Sequence, residues 1–286
     1  MTSRMDYNNP HGSGELGLPY HYEMVSDKSR VTPFRQAIQN VCKNKIVLES
    51  GTGTSILSLI AAGAGAKQVY AIELDPNIAA FARENIRKSG FKNIKLIEKN
   101  TLDVTTQDLD GNKAEVVIAE NLSTWEVTEP QIQVMNHMIK NLAVPNPISI
   151  PHSINNKVEL CYSNYIFEKV IELRTLYFQF TGIPAPEIFS EPVSFENIIM
   201  NQLNNTSFEK TVAITVNKSG LVNSIRLTSP LVVGEGVLFH SSDSLMPPVV
   251  LPLPNDIKVE NGQIVKVKIK YTTNSDWQQF VCSLEN

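Results

Sequence analysis

The segment Val47–Asp75, VLESGTGTSILSLIAAGAGAKQVYAIELD, limits what this chain can fold into more than any other stretch. Just before and into it, Lys45–Leu48 (KIVL) has the composition of a strand buried in a parallel sheet. Gly51 and Gly53 let the backbone turn sharply and approach a ligand closely. The helix that follows turns its free N–H groups toward the same spot. Its Ile56, Leu57, Leu59, Ile60 and Ala61 are placed to pack on a sheet. Gln68–Asp75 reads as the next strand and carries Glu73, twenty residues past Gly53, where an acid can hydrogen-bond both hydroxyls of a ribose. Strand, turn, helix, strand and acid in this order predict a site for the adenosine half of a cofactor, and therefore an enzyme. A structural glycine turn in another kind of α/β protein is the competing reading. Thr54, Ser55 and Ile56 stand where nicotinamide dinucleotides want a third glycine, and the absence of a Walker lysine argues against a nucleotide triphosphatase.

At 286 residues the chain is long enough for two domains or for one large one, and 42% hydrophobic with 19% charged residues is ordinary globular composition. No apolar run reaches the ~18 residues of a membrane span. The polar N-terminus lacks the apolar centre of a signal peptide. Cys42, Cys161 and Cys282 have no metal-type spacing, and an odd number does not suggest a disulfide framework. The expected location is the cytoplasm, with reduced thiols. A net charge of −4 without a basic cluster disfavours nucleic-acid binding and suits a small or cationic substrate better.

Residues 20–42 read as helical, with Thr32 as N-cap and Pro33 at the first helical position. Strands are expected near 46–49, 69–73, 94–98 and 115–119, and helices near 54–63, 76–88 and 129–142. This is a doubly wound, Rossmann-like α/β unit. From Asn146 onward the pattern changes to β alternation, with strands expected at 210–217, 219–229, 262–272 and 277–284. The expected organisation is an arm and helix at 1–30, a cofactor domain at 31–152 and an all-β, barrel-like domain at 153–286. Residues 165–205, richer in aromatics and helix formers, form an excursion that could pair two copies into a homodimer; Tyr177, Phe178 and Phe180 fit a β-domain core equally well.

The strand Ala114–Glu120 (AEVVIAE) runs into NLSTWEVTE. Glu120 falls at the carboxyl end of a sheet strand, where open α/β folds place ligands, and Glu129 follows nine residues later. Two carboxylates on one short loop repel unless something compensates, and a shared cation is one such reason. A guanidinium presents five donors in a planar fork and stays charged at neutral pH. Glu120 and Glu129 together could fix its plane, and one could take the proton lost from an attacking nitrogen. The bland alternative makes Glu129 a helix-terminal charge before Pro130 and Glu126 a solvated surface acid. Trp125 could wall the acceptor pocket or be a packing residue. His152 is more often structural than catalytic, and Asp27 could hold Arg30 as an ordinary ion pair.

The opening E-x-G-x-G at Glu49, Gly51 and Gly53, with Glu73, resembles the S-adenosylmethionine site of class I methyltransferases. Four blocks in order then resemble the protein arginine methyltransferases. His21–Arg30 (HYEMVSDKSR) is similar to the segment H-x-E-M-x-x-D-x-x-R, VLESGTGTS to the cofactor turn, AENLSTWEVTE to the double-glutamate loop, and Glu191–Ile198 with Leu251–Tyr271 to barrel segments. The resemblance implies S-adenosylmethionine as cofactor. It implies Arg30 on the cofactor's carboxylate, Met24 near the adenosine and sulfonium, His21 on the clamping helix, and Glu49, Gly51 and Gly53 by the methionine part. Glu73 would hold the ribose and Asp103 the adenine. It further implies catalysis by Glu120 and Glu129.

The family's Y-F-x-x-Y element is replaced by GSGELGLPY, the third glycine by Ser55, and the T-H-W loop by Ser244-Leu245-Met246. Because that loop is changed, the expected acceptor is a guanidino or amine group of a small, arginine-like molecule rather than of a protein. Three rivals stand beside it: O- or C-methylation of a natural product, lyase or cyclase chemistry releasing methylthioadenosine, and a non-catalytic partner subunit.

Overall fold

The structure, a computed structural model, describes residues 17–285. The arm expected N-terminal to them lies outside the described residues. Helix α1 (Leu18–Ser26) is followed directly by α2 (Lys28–Val41). The helical stretch expected at 20–42 is two helices that meet at Asp27, which is extended and caps α2 by accepting from the N–H groups of Ser29 and Arg30. Thr32 and Pro33 therefore lie inside α2, not at its start.

The first sheet contains β1 (Ile46–Ser50), β2 (Gln68–Glu73), β3 (Ile94–Glu98), β4 (Ala114–Ala119) and β5 (Ala143–Ile150). All neighbours are parallel, in the order β3-β2-β1-β4-β5. The strands are joined by α3 (Ile56–Gly63), α4 (Pro76–Ser89) and α5 (Gln131–His137), the last continuing into a π turn at Met138–Leu142. Helix α4 carries ordinary start and stop signals: Asp75 caps it, Pro76 opens it, and Gly90 ends it at φ 79. The chain winds outward from β1 to β3, then returns to β4 on the other side of β1. The carboxyl ends of β1 and β4 thus flank the switch point where such sheets bind ligands.

After β6 (Ser153–Tyr162) come the short pairs β7 (Ile166–Phe167) and β8 (Ile171–Glu172), then β9 (Tyr177–Phe178), β10 (Glu187–Ile188) and β11 (Val193–Ile199). The longer strands β12 (Ser207–Thr215) and β13 (Gly220–Thr228) precede β14 (Leu231–Gly234), β15 (Val237–Phe239), β16 (Val249–Val259), β17 (Ile264–Thr272) and β18 (Val281–Glu285). They form an antiparallel sheet β15-β14-β6-β13-β16-β9, with β10 and β11 also on β6, and a smaller sheet β12-β17-β18. Residues 165–205 are short strands and turns rather than helix. Trp277 lies in a 3₁₀ turn, so the last strand begins only at Val281.

Two apolar cores result. One joins the parallel sheet to α2 and to β14 and β15, so that α2 fills the seam between the two kinds of sheet. Gly234 permits this: a Cβ there would meet the Ala37 Cβ at 2.9 Å. The other core lies between the antiparallel sheets around Phe195, Tyr271 and Phe280. Tyr177, Phe178 and Phe180 pack back on this unit; Phe178 stacks on Phe180 and meets Trp277 edge-on.

Candidate active site

The turn after β1 is built from left-handed backbone. Gly51, Gly53 and Ser55 have φ of 64°, 57° and 73°. Thr52 N–H donates to the Ile72 carbonyl (2.8 Å), tying the turn to β2. Gly53 N–H donates to Glu73 Oε2 (2.8 Å), and Leu74 and Asp75 N–H donate to Glu73 Oε1. The acid at the end of β2 is thereby fixed in place by three backbone donors. Two glycines leave room no other residue would: a Cβ at Gly51 would lie 2.5 Å from Asn121 Nδ2, and one at Gly53 would lie 3.0 Å from the His21 ring. Ser55 takes the conformation the missing third glycine would have taken, and its buried hydroxyl has no hydrogen-bond partner.

Glu49 is fully buried below the turn. Its carboxyl accepts from Thr52 Oγ (2.8 Å) and from the Ser58 hydroxyl, so it fastens the turn to α3. Burial pushes its pKa up to about 7, against the pull of those two hydroxyls. Asp103 lies exposed on the 3₁₀ turn Thr101–Asp103, and its side chain forms no hydrogen bond or ion pair among the described residues. Its neighbour Thr101, not Asp103, meets the end of β1, through a 2.7 Å hydroxyl contact with Ser50.

The clamp covers this turn from above. His21 is buried against Gly53, and desolvation lowers its pKa although Glu73 pulls the other way. Met24 is half-buried, and its carbonyl accepts from Arg30 Nη1 (2.8 Å). The Arg30 guanidinium pairs with Glu120 across the switch point, both side chains under 10% exposed. Its Nε has no hydrogen-bond partner. Asp27 does not pair with this guanidinium as expected. It receives the Arg30 backbone N–H (3.2 Å) and the Ser244 hydroxyl (2.6 Å), joining the clamp to the loop before β16. Burial would raise the Asp27 pKa, but hydrogen bonds from Ser242, Ser244, Ser29 and Arg30 N–H bring it to about 2.

Glu120 and Glu129 lie on the stretch between β4 and α5. Gln131, buried at the start of α5, donates from Nε2 to the Ala119 carbonyl and accepts the Asn121 N–H at Oε1, both at 3.0 Å. One amide thus grips the backbone on either side of Glu120, two residues from Glu129. Glu129 caps no helix: α5 begins at Gln131 with Pro130 before it and no side-chain cap. Among the described residues the Glu129 side chain has no hydrogen-bond or ion-pair partner, and desolvation lifts its pKa to about 7. Burial raises the Tyr20 phenol too, with Glu129 adding to the effect and Arg30 opposing it.

Two residues of this loop lie in the interior, and Trp125 takes the packing reading of the two expected. Trp125 is wholly buried, at 4.8 Å from Phe195 and 5.5 Å from Tyr271 between ring centroids. It anchors the loop in the second core and does not line the acceptor side. Glu126 is not a surface acid but is also fully buried. His152 is exposed, held by its backbone to Val232 and Met200. Pattern reading missed Gln131, Tyr20, Asn121 and Thr101. A polar Gln at an apolar helix position was the only available signal for the first, and adjacency to His21 for the second.

The sheet order, glycine turn and fixed acid define the nucleoside-cofactor fold of class I methyltransferases. A family model described as a methyltransferase domain matches residues 42–173. An uncharacterized protein of Methanocaldococcus jannaschii is 31% identical over 93% of this chain and 96% of its own length. Protein arginine N-methyltransferase 7 of Cricetulus longicaudatus is 28% identical over 68% of this chain, which spans only 30% of that protein. Among solved structures, the Trypanosoma brucei PRMT1 enzyme–prozyme heterotetramer with AdoHcy superposes with a TM-score of 0.75 at 21% identity, covering 87% of this chain and 86% of that one. The chain is an S-adenosylmethionine-dependent methyltransferase that resembles the protein arginine methyltransferases. Among the described residues no helix is long and apolar enough to cross a membrane.

Proposed function

We propose that the protein transfers a methyl group to a guanidino or amine nitrogen of a small cationic acceptor gripped between Glu120 and Glu129. The observation that carries this is Glu129 itself, a half-buried carboxyl with no ion-pair partner among the described residues, on the same pinned loop as the Arg30–Glu120 pair. An acid of this kind favours an incoming positive charge, which would restore its ionised form. Bound S-adenosylmethionine supplies an electrophilic methyl group. His21, Gly51, Gly53 and Glu73 would hold its nucleoside, Glu49 would support that turn, and Arg30 would face its carboxylate. The glycine cradle and the unpartnered Arg30 Nε support that fit. Glu120 would orient the acceptor nitrogen, and Glu129 would take the proton it loses.

An open cleft of about 740 Å³ lies beside Asp27, and neither Glu120 nor Glu129 lines it. Its walls include Glu23, Asp27, Asp243, Ser242 and Thr181, and among the described residues no lysine or arginine lines it. The loop at Ser244 supports a small acceptor: Leu245 and Met246 turn into the core, and Ser242 and Ser244 reach Asp27 of the clamp. The β7–β8 hairpin exposes Ile166, Phe167, Val170 and Leu173, which favours pairing with a second copy. The test is to compare Glu129→Gln with the wild type. Retained S-adenosylhomocysteine binding with turnover lost supports the reading; unchanged turnover refutes it.

A further inference from the structure

Glu126 is a buried acid that the proposed reaction does not use. It is 0% exposed, on the loop between Glu120 and Glu129. With Trp125 it holds a left-handed backbone, φ 53° and 59°, which side-chain-bearing residues adopt only when their surroundings fix them. Those surroundings belong to the antiparallel sheets. Asn156 of β6 donates from Nδ2 to Glu126 Oε2 (2.8 Å). The Asn156 Oδ1 accepts the Ser229 hydroxyl (2.7 Å), whose oxygen accepts the Trp125 N–H (2.8 Å). The carbonyls of Glu126 and Val127 accept from the N–H groups of Asn274 and Ser275. Glu126 Oε1, equally buried, has no hydrogen-bond partner.

A charged carboxylate in this place would keep one oxygen unsolvated and face no cation, an arrangement proteins avoid by neutralising the group. The titratable group facing it is Tyr271 of β17, whose hydroxyl lies 3.3 Å from the same Asn156 nitrogen. That phenol is itself raised by burial and by Glu126. Glu196 of β11 also acts on Tyr271 and is half-buried beside Lys210, 4.0 Å away. From Asn156, Ser229, Asn274 and Ser275 come only neutral groups, and among the described residues no lysine, arginine or histidine forms an ion pair with Glu126.

We propose that Glu126 is a positioning residue: kept uncharged by its burial and bonded to Asn156, it locks the loop carrying Glu120 and Glu129 to the antiparallel sheets, and its ionisation releases that loop. The role in turnover rests on the function proposed above; the uncharged lock does not. Burial, opposed only by Asn156, lifts its pKa to about 8, which puts the release at the alkaline edge of the neutral range.

The experiment compares wild type with Glu126→Gln, which keeps the shape and an acceptor oxygen but cannot ionise. Urea unfolding is followed from about pH 5.5 to 9. Between the ordinary carboxylate range and pH 8, the wild-type unfolding constant should rise relative to the variant by about tenfold per pH unit, one proton's worth. Saturated methyl transfer should fall above about pH 8 in the wild type, and Glu126→Gln should lack that limb while S-adenosylhomocysteine affinity stays the same in both. A ratio of unfolding constants independent of pH would overturn the proposal. So would superimposable rate profiles. Should the variant not fold, infrared spectra of the wild type decide: a protonated carboxyl band lost near pH 8 supports the lock, and its absence at pH 6 refutes it. If no acceptor is methylated at all, the function above fails, while the unfolding and infrared measurements still decide Glu126.

Discussion

Replacing Arg30 by methionine removes one member of a buried ion pair. Arg30 and Glu120 have side chains 7% and 8% exposed, so little water is available to solvate the carboxylate left behind. Deleting one partner of such a pair costs about 3–5 kcal/mol, because the remaining charge is stranded. Loss of the Arg30 Nη1 bond to the Met24 carbonyl belongs to the same total, since hydrogen bonds to charged groups contribute ~1.5–3 kcal/mol and are not additive with the pair. Urea unfolding of wild type, Arg30→Met, Glu120→Gln and the double variant gives the coupling directly. Arg30→Met should lose about 3–5 kcal/mol with an unchanged denaturant slope. The double variant should be more stable than the sum of the two losses predicts, by ~1–3 kcal/mol, because a neutral amide in place of the Glu120 carboxylate leaves no charge to strand. A loss below ~1 kcal/mol for Arg30→Met, or strict additivity, would show that the two groups are solvated separately and that they do not meet across the switch point.

Glu73→Ala should weaken S-adenosylhomocysteine binding by at least about tenfold in calorimetry, since it removes the acid and unties Gly53 N–H. Glu129→Gln should retain cofactor binding and lose at least ~100-fold in turnover, the lower range for a positioned general base. Stability should fall as pH rises from about 4.5 to 8, because Glu49, Glu129 and Glu126 have folded pKa values raised to about 7, 7 and 8. In that window the folded state holds protons that the unfolded chain has released. Their stabilising contribution is complete below 4.5 and lost by about 8, at up to ~1.4 kcal/mol per pH unit for each group. Gly51→Ala should be more harmful than Gly262→Ala in thermal unfolding. Both carry positive φ, at a cost of ~1–2 kcal/mol, but only Gly51 faces a neighbour, Asn121, that must also move.

The cofactor turn was legible because its chemistry is local. Gly51, Gly53 and Glu73 announce themselves by residue type and spacing, and Asp75, Pro76 and Gly90 bound α4 in the same way. Strand β5 was not legible: Pro145 and Pro147 break its apolar run, as an edge strand permits, so its residues read as the start of the β half. The break at Asp27 escaped notice because Pro33 offered a more familiar helix start. Glu120 and Glu129 could be chosen from spacing and resemblance, but not what holds them. Gln131 acts through backbone groups at 119 and 121, and Glu126 meets Asn156, Ser229 and Tyr271 only after both sheets have formed. No period in a sequence records a contact across so much intervening chain.

Methyl transfer to a guanidino or amine nitrogen is decided by incubating the purified protein with S-adenosylmethionine and a panel of arginine, other guanidino compounds and amines, with mass spectrometry of every product. The expected products are S-adenosylhomocysteine and an acceptor one methylene heavier at nitrogen, both absent with Glu129→Gln. Methylthioadenosine released without any acceptor would contradict the assignment, and so would tight cofactor binding with no methylated product across the panel.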